Sequence, residues 1–136
     1  MKNRSELREI VMKVLYQIFI LEESSIEMDI ESLKKEQLEM ENEFVNEIIY
    51  GVLENRSAIY ELANQYLTGW PMDRLNKVDQ AILCIGIYEL SYTKTPSIVA
   101  INEAIELSKK YSDEKITKMI NAVLDEIYHQ LEEKGN

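Results

Sequence analysis

The chain has 136 residues, with 15 Lys and Arg against 25 Asp and Glu, so its formal net charge is −10, and 46% of its residues are apolar. That length suits one compact domain or two very small ones, and the apolar content is sufficient for a core. Four glycines and two prolines leave few turn-forming residues, which argues against disorder, collagen-like repeats and turn-rich β architecture and favours an all-α protein.

Apolar spacing of three and four residues predicts three helices in the first half of the chain. The first runs from about Ser5 to Glu22, the second covers Phe44 to Leu53, and the third covers Ile59 to Leu67. Asn55 and Ser57, between the second and the third, are both competent N-caps.

The strongest break follows at Thr68-Gly69-Trp70-Pro71, because Gly ends helices and the residue before Pro is disfavoured in the α region. We place a boundary here, between an N-terminal three-helix subdomain, residues 1–69, and a C-terminal helical subdomain, residues 70–136. The second half then predicts a central helix from Leu75 to Tyr92 that is apolar on nearly all sides.

Two further helices are predicted after the central one. Thr95 is expected to cap the first, with Pro96 at its first helical position, and Ser112 is expected to cap the second. Glu89 and the pair Asn102-Glu103 interrupt apolar runs in this half, so these residues either face outward or pair across helices. We interpret Glu89 and Asn102 as structural partners in inter-helix or capping hydrogen bonds.

The charges are unevenly distributed along the sequence. Residues 1–13 carry four cations against two acids, whereas residues 22–47 carry ten acids and two lysines and account for most of the net charge. The acidic segment 24–41 fits a loop or a short solvated helix equally well. A net charge of −10 argues against a general nucleic-acid binder, because affinity for phosphate comes from Lys and Arg, but most of that charge belongs to one insert.

The composition offers little for catalysis or secretion. Cys84 is the only cysteine and lies in the most apolar predicted helix, and His129 is the only histidine. A thiol hydrolase that uses this pair is therefore the least favoured hypothesis, because a buried thiol behaves as a small apolar group. We expect no cofactor and no metal site. One cysteine, no signal peptide and no apolar run near the roughly 20 residues that span a bilayer predict a cytoplasmic protein without membrane contact.

The first predicted helix carries the pattern of residues that points most directly to a function. At about 100° per residue, Lys13 and Tyr16 project away from the apolar stripe, and Arg4 and Arg8 lie at its margin. An outward aromatic ring among cations can stack a base while the cations hold phosphates, as in single-stranded RNA recognition. An ordinary solvated helix face explains the same residues, and the pattern alone leaves both readings open.

A series of short segments follows one known pattern, in order and spacing, across nearly the whole chain. The most specific is VAINEAIELSKKY, residues 99–111, which Asn121-Ala122-Val123-Leu124-Asp125 follows at the expected distance. With these segments the chain resembles the NusB family of bacterial transcription antitermination factors. The remaining matches are Val14-Leu15-Tyr16-Gln17, Gly51-Val52, Trp70, Arg74-Leu75, Val78-Asp79-Gln80-Ala81-Ile82-Leu83, Tyr88-Glu89-Leu90 and Pro96.

The resemblance implies an all-α, NusB-like fold of two small three-helix bundles packed together, with about six to seven helices. It implies a non-enzymatic factor that binds the boxA sequence of nascent rRNA leader transcripts together with NusE, a small-subunit ribosomal protein. The complex helps RNA polymerase to read through terminators. Members of the family occur as monomers and as dimers, so a homodimer is possible.

Carried over position by position, the resemblance also implies two sets of functional residues. RNA contacts fall on Lys2, Arg4, Arg8, Lys13, Tyr16 and Asp79, and partner contacts fall on Lys115, Lys118 and Met119. The N-terminal cations are fewer than in the family's arginine cluster, which predicts weak RNA binding by the protein alone. A purely protein-binding helical adaptor with little RNA contact is the alternative reading.

Overall fold

A computed structural model describes residues 2–135 of the chain and shows α-helices without any strand in that range, which confirms the all-α fold class. A short 3-10 turn at Met72–Arg74 precedes the fifth helix. None of the helices in the described range is long and apolar enough to cross a membrane. In chain order they are α1 Arg4–Glu23, α2 Ile30–Gln37, α3 Glu43–Glu54, α4 Arg56–Tyr66, α5 Lys77–Tyr92, α6 Ser97–Tyr111 and α7 Glu114–Gly135.

The central helix α5 organises the packing. Every residue from Asp79 to Leu90 is buried, as the apolar run predicts for a helix covered on all sides. The helix packs most closely against α6 and α1 and also contacts α3, α4 and α7, so a single hydrophobic core runs through it. The proposed boundary at residue 69 falls in the loop between α4 and α5, and the division into two subdomains stays a prediction.

Helix α1 is one residue longer at each end than the sequence predicts. Its N-terminus is closed by a capping box, in which the Asn3 side chain accepts the N–H of Glu6 at 2.9 Å and the Glu6 carboxylate accepts the N–H of Asn3 at 3.0 Å. The apolar stripe that runs from Leu7 to Ile18 is buried against the other helices. The first turn of α1 therefore has a fixed orientation.

The middle of the acidic segment 24–41 forms a short helix, α2, between two irregular stretches. Asp29 caps α2 by accepting the N–H of Glu31 at 3.1 Å, and the helix packs against α1. Lys34 is buried on this helix, with its Nζ 2.7 Å from the carboxylate of Glu31. Lys34 thus has a structural role, since it neutralises part of the local acidic charge.

Both helix caps that we predicted in the second half are wrong by one position. Helix α6 begins at Ser97 after Pro96, and the hydroxyl of Thr95 donates to the buried carboxylate of Glu89 at 2.9 Å. The hydroxyl of Ser112 donates to Asp79, and Asp113 caps α7 by accepting the N–H of Ile116 at 2.8 Å. In each case a buried carboxylate on α5 takes the hydroxyl, because a charged group inside the protein needs hydrogen bonds more than a helix end near the surface does.

Helix α3 approaches α5 at Gly51, where a side chain would overlap the ring of Tyr88. We predict that Gly51→Ala lowers the free energy of unfolding by about 1–3 kcal/mol, because the ring must move. Urea denaturation followed by circular dichroism measures this change. Gly135→Ala is the control, since nothing lies within 4 Å of that position. A stabilised Gly51→Ala protein would contradict the close approach, because Ala exceeds Gly in helix propensity by about 1 kcal/mol.

Candidate nucleic-acid interface

The predicted RNA residues on α1 lie on two opposite sides of the helix. Arg4 and Lys13 are nine positions apart, which corresponds to about 180° around an α-helix. Lys13 and Tyr16 face solvent on one side, whereas Arg4 and Arg8 face α3 and the end of α5 on the other. The structure therefore brings these residues together in pairs and not as one cluster.

Lys13 and Tyr16 line a shallow groove of about 320 Å³, here called the Tyr16 groove, whose other walls are Met12, Val78 of α5 and Tyr111 of α6. The side chain of Tyr16 is 41% exposed, and that of Lys13 is 46% exposed. Two tyrosine rings beside an aliphatic wall suit the flat face of a nucleobase, and an adjacent ammonium suits its phosphate. This arrangement has the chemistry of a single-stranded RNA contact.

Asp79 lies behind the Tyr16 groove and is only 2% exposed. Burial raises the pKa of its carboxyl, and the hydrogen bond from Ser112 acts in the opposite direction. The bond joins the start of α5 to the link between α6 and α7, next to Tyr111. Asp79 thus holds two walls of the groove in place. Its predicted RNA contact, like that of the exposed Lys2, stays a prediction.

A cluster at the edge of the groove was missed from the sequence. The carboxylate of Glu9 on α1 accepts the hydroxyl of Tyr111 and lies 2.9 Å from Nζ of Lys110, both at the end of α6. These hydrogen bonds lower the pKa of Glu9 below its usual value. Nζ of Lys13 is 3.8 Å from the same carboxylate. The available signal was the excess of four lysines over two acids in residues 109–118, but sequence spacing does not place that segment beside α1.

Arg4 and Arg8 line a second and larger groove of about 640 Å³ with Tyr92 and Lys94, at the end of α5. The guanidinium of Arg4 lies over the ring of Phe44, 4.2 Å from the centroid, in a cation–π contact. Arg4 is exposed, so its charge is available to a ligand on this side of the molecule.

Arg8 is only 4% exposed and forms a bidentate ion pair with Glu89 of α5. Its Nε and Nη2 atoms donate to the two carboxylate oxygens at 2.7 Å and 2.8 Å, and Nη1 donates to Glu103 of α6 at 3.1 Å. Burial lowers the pKa of Arg8, but the hydrogen bonds and charges of Glu89 and Glu103 outweigh it and raise the pKa above its ordinary value. The guanidinium therefore stays charged and joins three helices. RNA contact by Arg8 stays a prediction.

The structural interpretation is confirmed for Glu89 and wrong for Asn102. Asn102 is exposed, and no side-chain hydrogen bond of it occurs among residues 2–135. Its neighbour Glu103 makes the inter-helix contact instead, with Arg8 and with the hydroxyl of Ser5. Asn102 and Glu103 are consecutive polar residues in the same apolar run, about 100° apart on the helix, so the pattern alone did not distinguish the two.

The three predicted partner residues lie on the first turns of α7. Lys115 and Lys118 are exposed, and Met119 is half-buried against the core. Nζ of Lys118 is 3.8 Å from Glu114 in a surface ion pair. These turns are held to α6 by a hydrogen bond of 2.7 Å between the hydroxyls of Ser108 and Thr117. The surface therefore combines two exposed lysines with a flexible apolar side chain.

The Cys84 and His129 pair does not form a catalytic site. Cys84 is fully buried in α5, and burial raises the pKa of its thiol to about 12, so the thiolate is not populated near neutral pH. The ring of His129 is on the exposed side of α7, where it faces Asp125 at 3.4 Å.

Comparison with known proteins gives one consistent result. A family model described as "NusB family" matches residues 5–129. The transcription antitermination protein NusB of Macrococcus caseolyticus is 36% identical over 92% of this chain and 95% of its own length. The solved structure of T. maritima NusB is 34% identical, covers 95% of this chain and 93% of its own, and superposes with a TM-score of 0.80.

The solved structure of the antitermination factors NusB and NusE in complex with dsRNA also contains a similar chain. That chain is 26% identical and superposes with a TM-score of 0.79 over 93% of this chain and 96% of its own.

We predict that Arg8→Met lowers the free energy of unfolding by about 3–5 kcal/mol, because it leaves the buried carboxylate of Glu89 without its cation. Adding Glu89→Met should recover much of that loss, since the unpaired charge is then gone. Arg4→Met is the exposed control. Equal and small losses for Arg8→Met and Arg4→Met in urea denaturation would show that the buried pair does not stabilise the fold.

Proposed function

The chain belongs to the NusB family, and from this premise we propose that it binds the boxA sequence of nascent rRNA leader transcripts together with NusE. It is a transcription antitermination factor, without a catalytic step, in the complex that lets RNA polymerase read through terminators. Because transcription in bacteria takes place in the cytoplasm, the protein acts there.

The Tyr16 groove is the observation that carries the proposal. Tyr16 stacks on a base of the RNA, and Lys13 holds a neighbouring phosphate. Exposed Lys2 and Arg4 add positive charge near the N-terminus of α1. This set is small, and single-stranded RNA binding depends on both stacked bases and neutralised phosphates. The protein alone therefore binds RNA weakly.

The partner surface is the start of α7, at Lys115, Lys118 and Met119. This surface is adjacent to the Tyr16 groove, because only residues 112–113 separate the end of α6, which carries Tyr111, from α7. RNA that lies in the groove can thus continue onto a partner bound at α7. A basic ribosomal protein in this position supplies the positive charge that a chain of net charge −10 lacks.

We predict that the heterodimer with NusE binds a boxA oligonucleotide more tightly than a scrambled one, and more tightly than either protein alone. Fluorescence anisotropy titration at physiological salt measures both differences. The scrambled oligonucleotide has the same charge, so it controls for sequence-independent attraction. Equal binding of the two oligonucleotides by the heterodimer would contradict sequence-selective recognition.

A second prediction concerns the aromatic contact. Tyr16→Ala should weaken boxA binding by roughly 1–3 kcal/mol, because one stacked base loses its platform. Tyr16→Phe keeps the ring and should retain most of the affinity. Tyr128→Ala, on α7 and outside the groove, is the control. If Tyr16→Ala binds boxA as well as the unmodified heterodimer does, Tyr16 belongs to an ordinary solvated face.

A further inference from the structure

Glu9 lies at the edge of the Tyr16 groove, where donors from two helices converge on its carboxylate. Nζ of Lys110 is 2.9 Å from both carboxylate oxygens, the hydroxyl of Tyr111 donates to one of them, and Nζ of Lys13 is 3.8 Å from that same oxygen. Two ammonium groups and a hydroxyl around one oxyanion form the kind of donor set that also holds a phosphate.

The exposure of these side chains lets a phosphate from solvent reach the same donors. The side chain of Lys110 is 59% exposed, whereas that of Glu9 is 22% exposed, so the ammonium group faces solvent beyond the carboxylate. The ring of Tyr111 is also a wall of the groove in which Tyr16 lies. A base in the groove therefore brings its own phosphate close to Lys110 and Lys13.

We propose that an RNA phosphate displaces Glu9 from Lys110, Lys13 and Tyr111. Lys110 and Tyr111 are then RNA contacts of this chain, and Glu9 restrains them in the free protein. A carboxylate and a phosphate cannot share these cations without repulsion, so Glu9 reduces affinity for RNA. This inference rests on the proposed function and adds the end of α6 to its RNA surface.

The first test removes the competing charge. In the heterodimer with NusE, Glu9→Gln should bind boxA about two- to fivefold more tightly, the range expected when exposed ion pairs are released. Glu6→Gln is the matched control, because it removes the same charge from the same helix and glutamine still completes the capping box with Asn3. It should give a smaller increase.

The second test removes the contact itself. Lys110→Gln should weaken boxA binding and lower the slope of log K against log salt by about one, as expected when one phosphate contact is lost. The matched control is Lys109→Gln, since Lys109 pairs with Glu106 of its own helix at 3.5 Å and not with α1. In the double variant with Lys110→Gln, the gain from Glu9→Gln should shrink, because both changes act on one interaction.

The ring of Tyr111 is tested with variants that keep the packing. Tyr111→Phe loses a hydroxyl that donates to Glu9 in the free protein and to the phosphate in the complex, so the two losses offset each other and affinity for boxA should change little. Tyr111→Leu loses the aromatic face and should bind less well. Thermal unfolding of each variant, measured in parallel, shows whether the fold is retained.

The outcomes separate this inference from the function on which it rests. If the unmodified heterodimer prefers boxA to the scrambled oligonucleotide, but Glu9→Gln matches Glu6→Gln and Lys110→Gln matches Lys109→Gln, the cluster is purely structural and only this inference falls. If the unmodified heterodimer shows no preference for boxA, both fall. A gain for Glu9→Gln that depends on Lys110 supports the displacement.

Discussion

The buried ion pair between Arg8 and Glu89 sets the orientation on which the functional surface depends. It fixes α1 against α5, and Glu103 extends the contact to α6. With Arg8 turned inward, Lys13 lies about 140° around the helix and must face solvent. Ion pairs of this kind are costly to bury, and an apolar contact of similar size would stabilise the fold at least as well. The directional, bidentate geometry is what an apolar contact could not supply, because it permits only one rotation of α1.

The net charge of the whole chain is a poor guide to whether this protein can bind RNA. The acidic insert folds into α2 and packs on α1, where Lys34 takes up part of its charge. The exposed cations near the N-terminus, Lys2, Arg4 and Lys13, lie elsewhere on the surface. Electrostatic attraction between a folded protein and RNA depends on the local distribution of charge, because at physiological salt the field is screened within about 8 Å. An overall charge of −10 therefore limits non-specific binding and leaves a local RNA contact possible.

Helices such as α1 and α3 could be predicted from the sequence because each has one apolar face that the core must cover, and every turn of the helix repeats that burial. Helix α5 could be predicted because it is apolar on nearly all sides, as expected of a helix that other helices cover all round. The caps at Thr95 and Ser112 could not be predicted in the same way, since both hydroxyls donate to buried carboxylates of another helix, α5: Thr95 to Glu89 near the end of α5, and Ser112 to Asp79 near its start. Local capping rules describe a helix end in isolation, and here a tertiary partner competes successfully for the hydroxyl.

One part of the candidate site could likewise be predicted from the sequence, and another part could not. Tyr16 and Lys13 could be found from the sequence, because one helix carries both and its apolar stripe defines the outward direction. The contribution of α6 could not be found, because Tyr111 reaches α1 only through the packing of both helices on α5. When a surface is built from separate helices, the relative positions of its side chains depend on how those helices pack in the core. The rigidity that the buried ion pair gives to α1 is therefore also a condition for the Tyr16 groove, whose two tyrosines come from helices that meet only in the folded protein.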